Sequence, residues 1–183
     1  PLLSPAGPRF TPTAGLPRCR GTPCGVSLPS EVSTPLPEEA AAPQRHCPSC
    51  GTRGKVVELI TLQSLLKSDR RALVTGGTFR YCGQRGCEVV YFAEDNSRVF
   101  TLTDLTVRVG AKVDEPPRPL CYCFGYTAEQ MLEEIRDTRR TEIPEIIRSR
   151  IGSDACRCER TNPQGSCCLG AVTAFVSEAL SRR

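Results

Sequence analysis

The chain has 183 residues, the length of one domain or of two small ones. It holds 12 cysteines but no Trp and only 5% aromatic residues, a thin supply of apolar bulk that calls for another source of stability. With 24 basic and 20 acidic residues the net charge is +4, too small to argue for nucleic acid, and no apolar run approaches the roughly 18 residues of a membrane span.

Residues 1–45 contain ten of the sixteen prolines and show no apolar periodicity. Proline fixes φ and lacks the backbone N–H, so this tract is expected to form a disordered or extended tail, with Cys19 and Cys24 as unpaired thiols. From His46 to about Gly110 the pattern is β-rich. Val56–Ile60 reads as a first strand, and Thr61 as the cap of a short helix over 62–67 with Leu62, Leu65 and Leu66 on one face. Phe79–Tyr81 leads into a cysteine pair. Glu88–Ala93 is β-prone, the run Glu94-Asp95-Asn96-Ser97 is a turn, and Arg98–Leu102 returns as a hairpin partner, with Leu105–Val109 as a further strand. Asp114–Pro119 reads as a stiff linker.

Beyond the linker the period becomes helical. Thr127-Ala128-Glu129-Gln130 fits a capping box, with Met131, Leu132 and Ile135 as the apolar stripe of a helix running to about Arg140. Thr141 is expected to cap a second helix, with Pro144 in its first turn and Gly152 at its C-terminal end, and 171–180 reads as a closing amphipathic helix. The expected class is α+β: a proline-rich tail (1–45), a small zinc-ribbon-like β domain (46–115) and a small helical domain (116–183).

Two constellations of cysteine carry the chemistry. Cys47-Pro48-Ser49-Cys50-Gly51 is a C-x2-C knuckle, and Cys82-Gly83-Gln84-Arg85-Gly86-Cys87 is a C-x4-C pair, separated from it by 31 residues. Two such turns facing each other supply four sulfurs to tetrahedral Zn²⁺ at about 2.3 Å. Zinc at Cys47, Cys50, Cys82 and Cys87 would also explain how so few aromatics hold a fold together. A closed four-sulfur site leaves no open position, so its role is structural. His46, the only histidine, is expected on the solvated flank. Two disulfides would satisfy the same spacing, but the N-terminus has no apolar h-region, and thiols in a reducing compartment without an export signal favour metal and a cytoplasmic location.

The second constellation is Cys121-Tyr122-Cys123-Phe124-Gly125, Cys156-Arg157-Cys158 and Cys167-Cys168. A C-x-C pair is tight for a zinc knuckle but can grip one edge of a compact cluster. A [2Fe–2S] cluster takes four thiolates, and six are present. Asn162, Pro163, Gly165 and Gly170 suit a loop whose N–H groups point at sulfur and raise the reduction potential. A second zinc site or disulfides are the competing readings. Tyr122, Phe124 and Leu169 read as packing around the site.

Cys121-Tyr-Cys-Phe-Gly-Tyr-Thr and Cys156-Arg-Cys-Glu-Arg-Thr-Asn-Pro-Gln-Gly-Ser-Cys-Cys-Leu-Gly resemble the iron–sulfur half of CopZ-type copper metallochaperones. Cys47-Pro-Ser-Cys-Gly and Tyr81-Cys-Gly-Gln-Arg-Gly-Cys-Glu-Val-Val-Tyr-Phe92 resemble that family's zinc half, so the similarity covers about residues 46–175. The cluster half is also distantly similar to bacterioferritin-associated ferredoxins. The resemblance implies a [2Fe–2S] cluster on Cys121, Cys123, Cys158 and Cys168, with Cys156 and Cys167 as alternative ligands, a structural zinc, and a cytoplasmic role in copper handling. The implied partner is a copper-transporting ATPase or a separate copper-carrying domain. Full-length members carry a C-terminal domain with an M-x-C-x-x-C loop; here 15 residues follow Cys168, and the sole Met131 precedes no such loop. Cu(I) favours soft, low-coordinate thiolates; a separate protein could supply that module, and Cys156 and Cys167, if not cluster ligands, are candidate thiols for transient metal binding.

No phosphate loop, Ser/His/Asp set or acid–base pair is visible, and ordinary enzymatic turnover is not expected. The leading reading is a redox-active metallochaperone accessory. The alternative is a [2Fe–2S] electron-transfer or docking adaptor without metal cargo, for which Arg136, Arg139, Arg140, Arg148 and Arg150 could form a docking face. A zinc-ribbon nucleic-acid binder is disfavoured by the weak charge and the lack of interleaved aromatics.

Overall fold

A computed structural model describes residues 42–182, which belong to one unit, Ala40–Arg183. Cys19, Cys24 and nearly all of the proline-rich tract lie outside the described residues.

The first half is a four-stranded antiparallel meander in the order β1-β2-β3-β4, with β1 at Lys55–Val57, β2 at Phe79–Tyr81, β3 at Val89–Ala93 and β4 at Val99–Thr101. The β3–β4 hairpin lies where alternation and the turn residues place it, and Asn96 supplies the positive φ of 59° that the turn needs. All five residues of β3 are buried, because one face packs on the core and the other on the cysteine knuckles. The core contains Leu62, Leu66, Phe79, Val90, Tyr91 and Phe100.

Two expectations for this half are corrected. Helix α1 spans Leu59–Leu65, so Leu59 and Ile60 are helical, and Thr61 lies inside the first turn rather than capping it; the N-cap is Glu58. Thr61 is fully buried, and its hydroxyl donates to the Glu159 carbonyl at 2.6 Å. That tertiary anchor, with the buried stripe of Leu62 and Leu65, outweighs the local β preference of the preceding residues. Leu105–Val109 is not a strand. A Thr101/Asp104 capping box turns the chain into a 3-10 turn over Leu102–Asp104, after which Leu105 makes only an isolated bridge to Leu66. A short helix α2 (Ser68–Arg71) follows α1.

The second half opens with a two-stranded ribbon, β5 (Pro119–Cys121) and β6 (Tyr126–Thr127), so the stretch read as linker runs directly into a strand. Helix α3 (Ala128–Thr138) has the expected capping box between Thr127 and Gln130. Helix α4 (Ile143–Arg150) has Pro144 in its first turn and Gly152 at φ 84° just past its end; Thr141 stands one place outside the N-cap Glu142 and accepts the Ile143 N–H at 3.2 Å. The four-residue α5 (Cys158–Thr161) precedes α6 (Leu169–Ser181), which starts two residues earlier than its sequence pattern suggests. Met131, Ile135, Ile143, Ile147 and Val172 form this half's core around Cys121 and Cys168.

Helix α1 packs on α5. Tyr91 Oη donates to the Pro163 carbonyl at 2.9 Å, and Tyr122 Oη accepts from Gly110 N and donates to the Arg108 carbonyl, both at 3.0 Å. The sheet therefore braces the loop that carries the last cysteines.

Candidate metal centres

The first centre rests on two turns at one end of the meander. Residues 47–52 close on themselves through Gly51 N to the Cys47 carbonyl (2.9 Å) and Cys47 N to the Thr52 carbonyl (2.8 Å). The second turn joins β2 to β3, with Cys82 N on the Val90 carbonyl at 2.9 Å. Gly51 and Gly86 adopt φ of 72° and 73°, which is why each knuckle carries a glycine beside its cysteine.

The four sulfurs of Cys47, Cys50, Cys82 and Cys87 lie within 4.8 Å of one another. Cys47 and Cys87 are separated by 3.9 Å and Cys50 and Cys82 by 3.6 Å. A tetrahedron with Zn–S bonds of about 2.3 Å has edges of about 3.8 Å, so the donor set fits zinc. Val89 and Phe92 wall the site, and Cys47, Cys82 and Cys87 are buried while Cys50 meets solvent.

Burial pushes the Cys47 thiol up and the Cys82 thiol up to about 12, whereas hydrogen bonds from Thr52 draw exposed Cys50 down to about 6. Cys47 and Cys82 are therefore helped to become thiolates by a cation, and a divalent metal supplies that charge. His46 is exposed, forms a bridge with Arg53 and does not belong to the sulfur cluster.

One residue here escaped sequence reasoning. Lys112, only 3% exposed, donates from Nζ to the carbonyls of Gln84 (3.1 Å) and Cys87 (3.0 Å). Its only sequence signal is a charge inside the apolar run Val109-Gly110-Ala111-Lys112-Val113.

The second centre gathers cysteines from the end of β5, the β5–β6 turn, the start of α5 and the N-cap of α6. Cys123 and Cys158 are 3.6 Å apart, and Cys156 lies 3.9 Å from Cys158; these three sulfurs fall within 4.8 Å of one another. Deeper in lie Cys121 and Cys168, both almost wholly buried and close enough for each thiol to shift the other. Accepting from the Cys168 thiol draws Cys121 down to about 7, and the same contact holds Cys168 protonated. Burial pushes Cys158 up as well, with the neighbouring Cys168 N–H pulling the other way.

The donors aimed at sulfur differ from those expected. Arg157 N reaches Cys123 Sγ at 3.2 Å, and the N–H groups of Cys123 and Phe124 face Cys121; Thr161 Oγ1 lies 3.1 Å from Cys123 Sγ but donates to the Arg157 carbonyl at 2.9 Å. Asn162, nearly fully buried, instead organises its own loop by holding the Ser166 carbonyl and the Gln164 N–H. The donors are all thiols, the kind an iron–sulfur cluster takes; Cys123 and Cys158 are spaced like two ligands of one metal, and Cys156 lies in the same group. Cys167 is exposed. Phe124 packs beside the core with the Arg150 guanidinium 5.5 Å above its ring, while Arg136, Arg140 and Arg148 are taken up in exposed ion pairs.

Comparison with known proteins bears on the family and on the first of these centres. The zinc-binding domain of CopZ matches residues 44–106. A copper chaperone CopZ from Archaeoglobus fulgidus is 36% identical over 123 residues, 67% of this chain; the chain spans 57% of that protein's length. The X-ray structure of the A. fulgidus CopZ N-terminal domain superposes with a TM-score of 0.62 at 34% identity, covering 71% of this chain and 96% of that one. No described helix is long and apolar enough to cross a membrane. With a match to a zinc-binding domain over 44–106, four clustered cysteines that could hold a metal, a mixed α and β fold built on an antiparallel sheet and near-complete coverage of that domain, the chain belongs to the family of the CopZ N-terminal domain.

Proposed function

We propose that the chain is a metallochaperone component that holds a structural zinc on Cys47, Cys50, Cys82 and Cys87 and a [2Fe–2S] cluster on Cys121, Cys123, Cys158 and Cys168, in the service of copper handling. The observation that supports this reading is the gathering of nine cysteines into two separate constellations braced by one sheet, four in the first and Cys121, Cys123, Cys156, Cys158 and Cys168 in the second. The functional halves are 46–115 and 116–183, and the working environment is the reducing cytoplasm.

A bound [2Fe–2S] group supplies one-electron chemistry. The chain's part is to set the charge around it. Arg157 N at Cys123, Cys168 N at Cys158, and the N–H groups of Cys123 and Phe124 at Cys121 all favour added negative charge on sulfur, which raises a reduction potential. Burial of Cys121, Cys158 and Cys168 excludes water from three of the four sulfurs, and Cys123 stays at the half-exposed edge where a partner can approach. The A. fulgidus relative is a copper chaperone, and the natural partners of this chain are a copper-transporting ATPase or a separate copper-carrying domain.

Substitution of single cysteines in anaerobically purified protein tests the assignment. Cys121→Ser should bleach the protein and leave zinc bound, whereas Cys47→Ser should release zinc and unfold the meander. Full colour in Cys158→Ser with loss in Cys156→Ser would move the ligand to Cys156. Anaerobic Cu(I) titration against a competing chelator tests the copper role: thiol-dependent stoichiometric binding supports the chaperone, and its absence leaves an electron carrier without cargo.

A further inference from the structure

Lys112 is a buried cation with no carboxylate partner, since none of the described ion pairs includes it. A buried charge is costly unless it is paired and hydrogen-bonded, so its position calls for negative charge nearby. Two of its three ammonium donors are taken by the carbonyls of Gln84 and Cys87, inside and at the end of the second knuckle. Its own backbone carbonyl accepts from Gly86 N at 3.3 Å, and its Nζ lies 6.0 Å from the centroid of the Tyr81 ring. One residue thus fastens the Cys82–Cys87 turn at three points and places a positive charge beside its sulfurs.

Four thiolates around Zn²⁺ carry a net charge of −2, and here three of the four cysteines are buried. Neither knuckle contains an acidic residue; the basic group inside the second, Arg85, is more than half exposed and pairs with Asp114. Lys112 is the buried cation at the site.

We propose that Lys112 is the counter-charge of the zinc tetrathiolate and the positioning residue for its second knuckle. The role rests on the zinc assignment above. It predicts that zinc is held by a charged residue 25 positions beyond the last ligand as well as by the cysteines.

The test compares full-length, zinc-loaded wild type with Lys112→Met, Lys112→Gln and Lys112→Arg by competition for zinc with a chromogenic chelator. Lys112→Met removes charge and donors at similar length, Lys112→Gln keeps a donor without charge, and Lys112→Arg keeps both. Met and Gln variants should bind zinc about 10- to 100-fold more weakly, as is typical when an outer-shell partner of a metal ligand is lost, and Arg should recover most of the loss. Wild-type affinity in Lys112→Gln, or no recovery in Lys112→Arg, would overturn the counter-charge. If Lys112→Met does not fold, the Gln/Arg comparison decides alone, because both retain a donor and differ in charge. A wild-type protein that binds no zinc would instead overturn the zinc assignment.

Discussion

Replacing Thr61 by Val tests the joint between the two halves with little else disturbed. Valine matches threonine in shape and in β-branching, so helix α1 keeps its backbone preference and its packing. What disappears is the 2.6 Å hydrogen bond from Oγ1 to the Glu159 carbonyl, in a pocket where Thr61 has no exposure. The bond is part-buried and Glu159 itself is exposed, so its loss is worth an ordinary net hydrogen bond of about 0.5–1.5 kcal/mol. For a unit of this size each kcal/mol lowers Tm by about 2–4 °C, so a fall of about 1–6 °C is expected by differential scanning calorimetry on the metal-loaded protein. Because α5 opens with Cys158, the visible colour should also bleach sooner in the presence of an iron chelator. An unchanged Tm together with unchanged bleaching would refute the claim that this bond joins the zinc half to the cluster half.

Two tyrosines of the same core should respond differently. Tyr91→Phe deletes the donor to Pro163 and should destabilise by about 1–3 kcal/mol in urea unfolding, whereas Tyr81→Phe removes a buried hydroxyl that lacks any partner and should be neutral or stabilising. Gly110→Ala would place a Cβ 2.1 Å from the Pro119 carbonyl oxygen, a backbone atom that cannot step aside, and should cost about 1–3 kcal/mol by the same assay. Glu129, in the first turn of α3, accepts from Arg118 N and Nε, both at 3.0 Å. Burial pushes its carboxyl up, but the Arg118 hydrogen bonds outweigh this and leave it below the ordinary value of 4.5. The folded value being the lower one, this contribution is complete above pH 4.5 and is lost as pH falls through the folded value. Glu129→Gln should therefore cost about 0.5–1 kcal/mol at pH 7, and the difference from wild type should vanish in acid; a difference that persists at low pH would count against the ion pair.

The features legible in the sequence are those whose physics is local. A metal knuckle is two thiols and a glycine within a few residues, so Cys47–Gly51 and Cys82–Cys87 announce themselves. The Thr127/Gln130 capping box and Gly152 at the end of α4 are equally short-range signals. What escaped depends on distant partners. Thr61 looks like a cap until Glu159 comes to meet it, and Leu59 and Ile60 look like strand until the α1–α5 contact makes them helix. The ribbon of β5 and β6 and the helix α5 are too short for any period to show. Lys112 is an ordinary surface residue by sequence, and only the folded chain puts its ammonium against the carbonyls of a cysteine turn. The cluster donors follow the same logic: Arg157 N and Cys168 N reach sulfur because of where α5 and α6 begin, which spacing alone does not reveal.

Metal analysis combined with visible absorption, on full-length protein prepared without oxygen, bears most directly on the division of sulfur between two centres. The expected preparation is red-brown and contains about two iron atoms and one zinc per chain. A colourless, iron-free preparation, or thiols found tied to one another as disulfides, would contradict it.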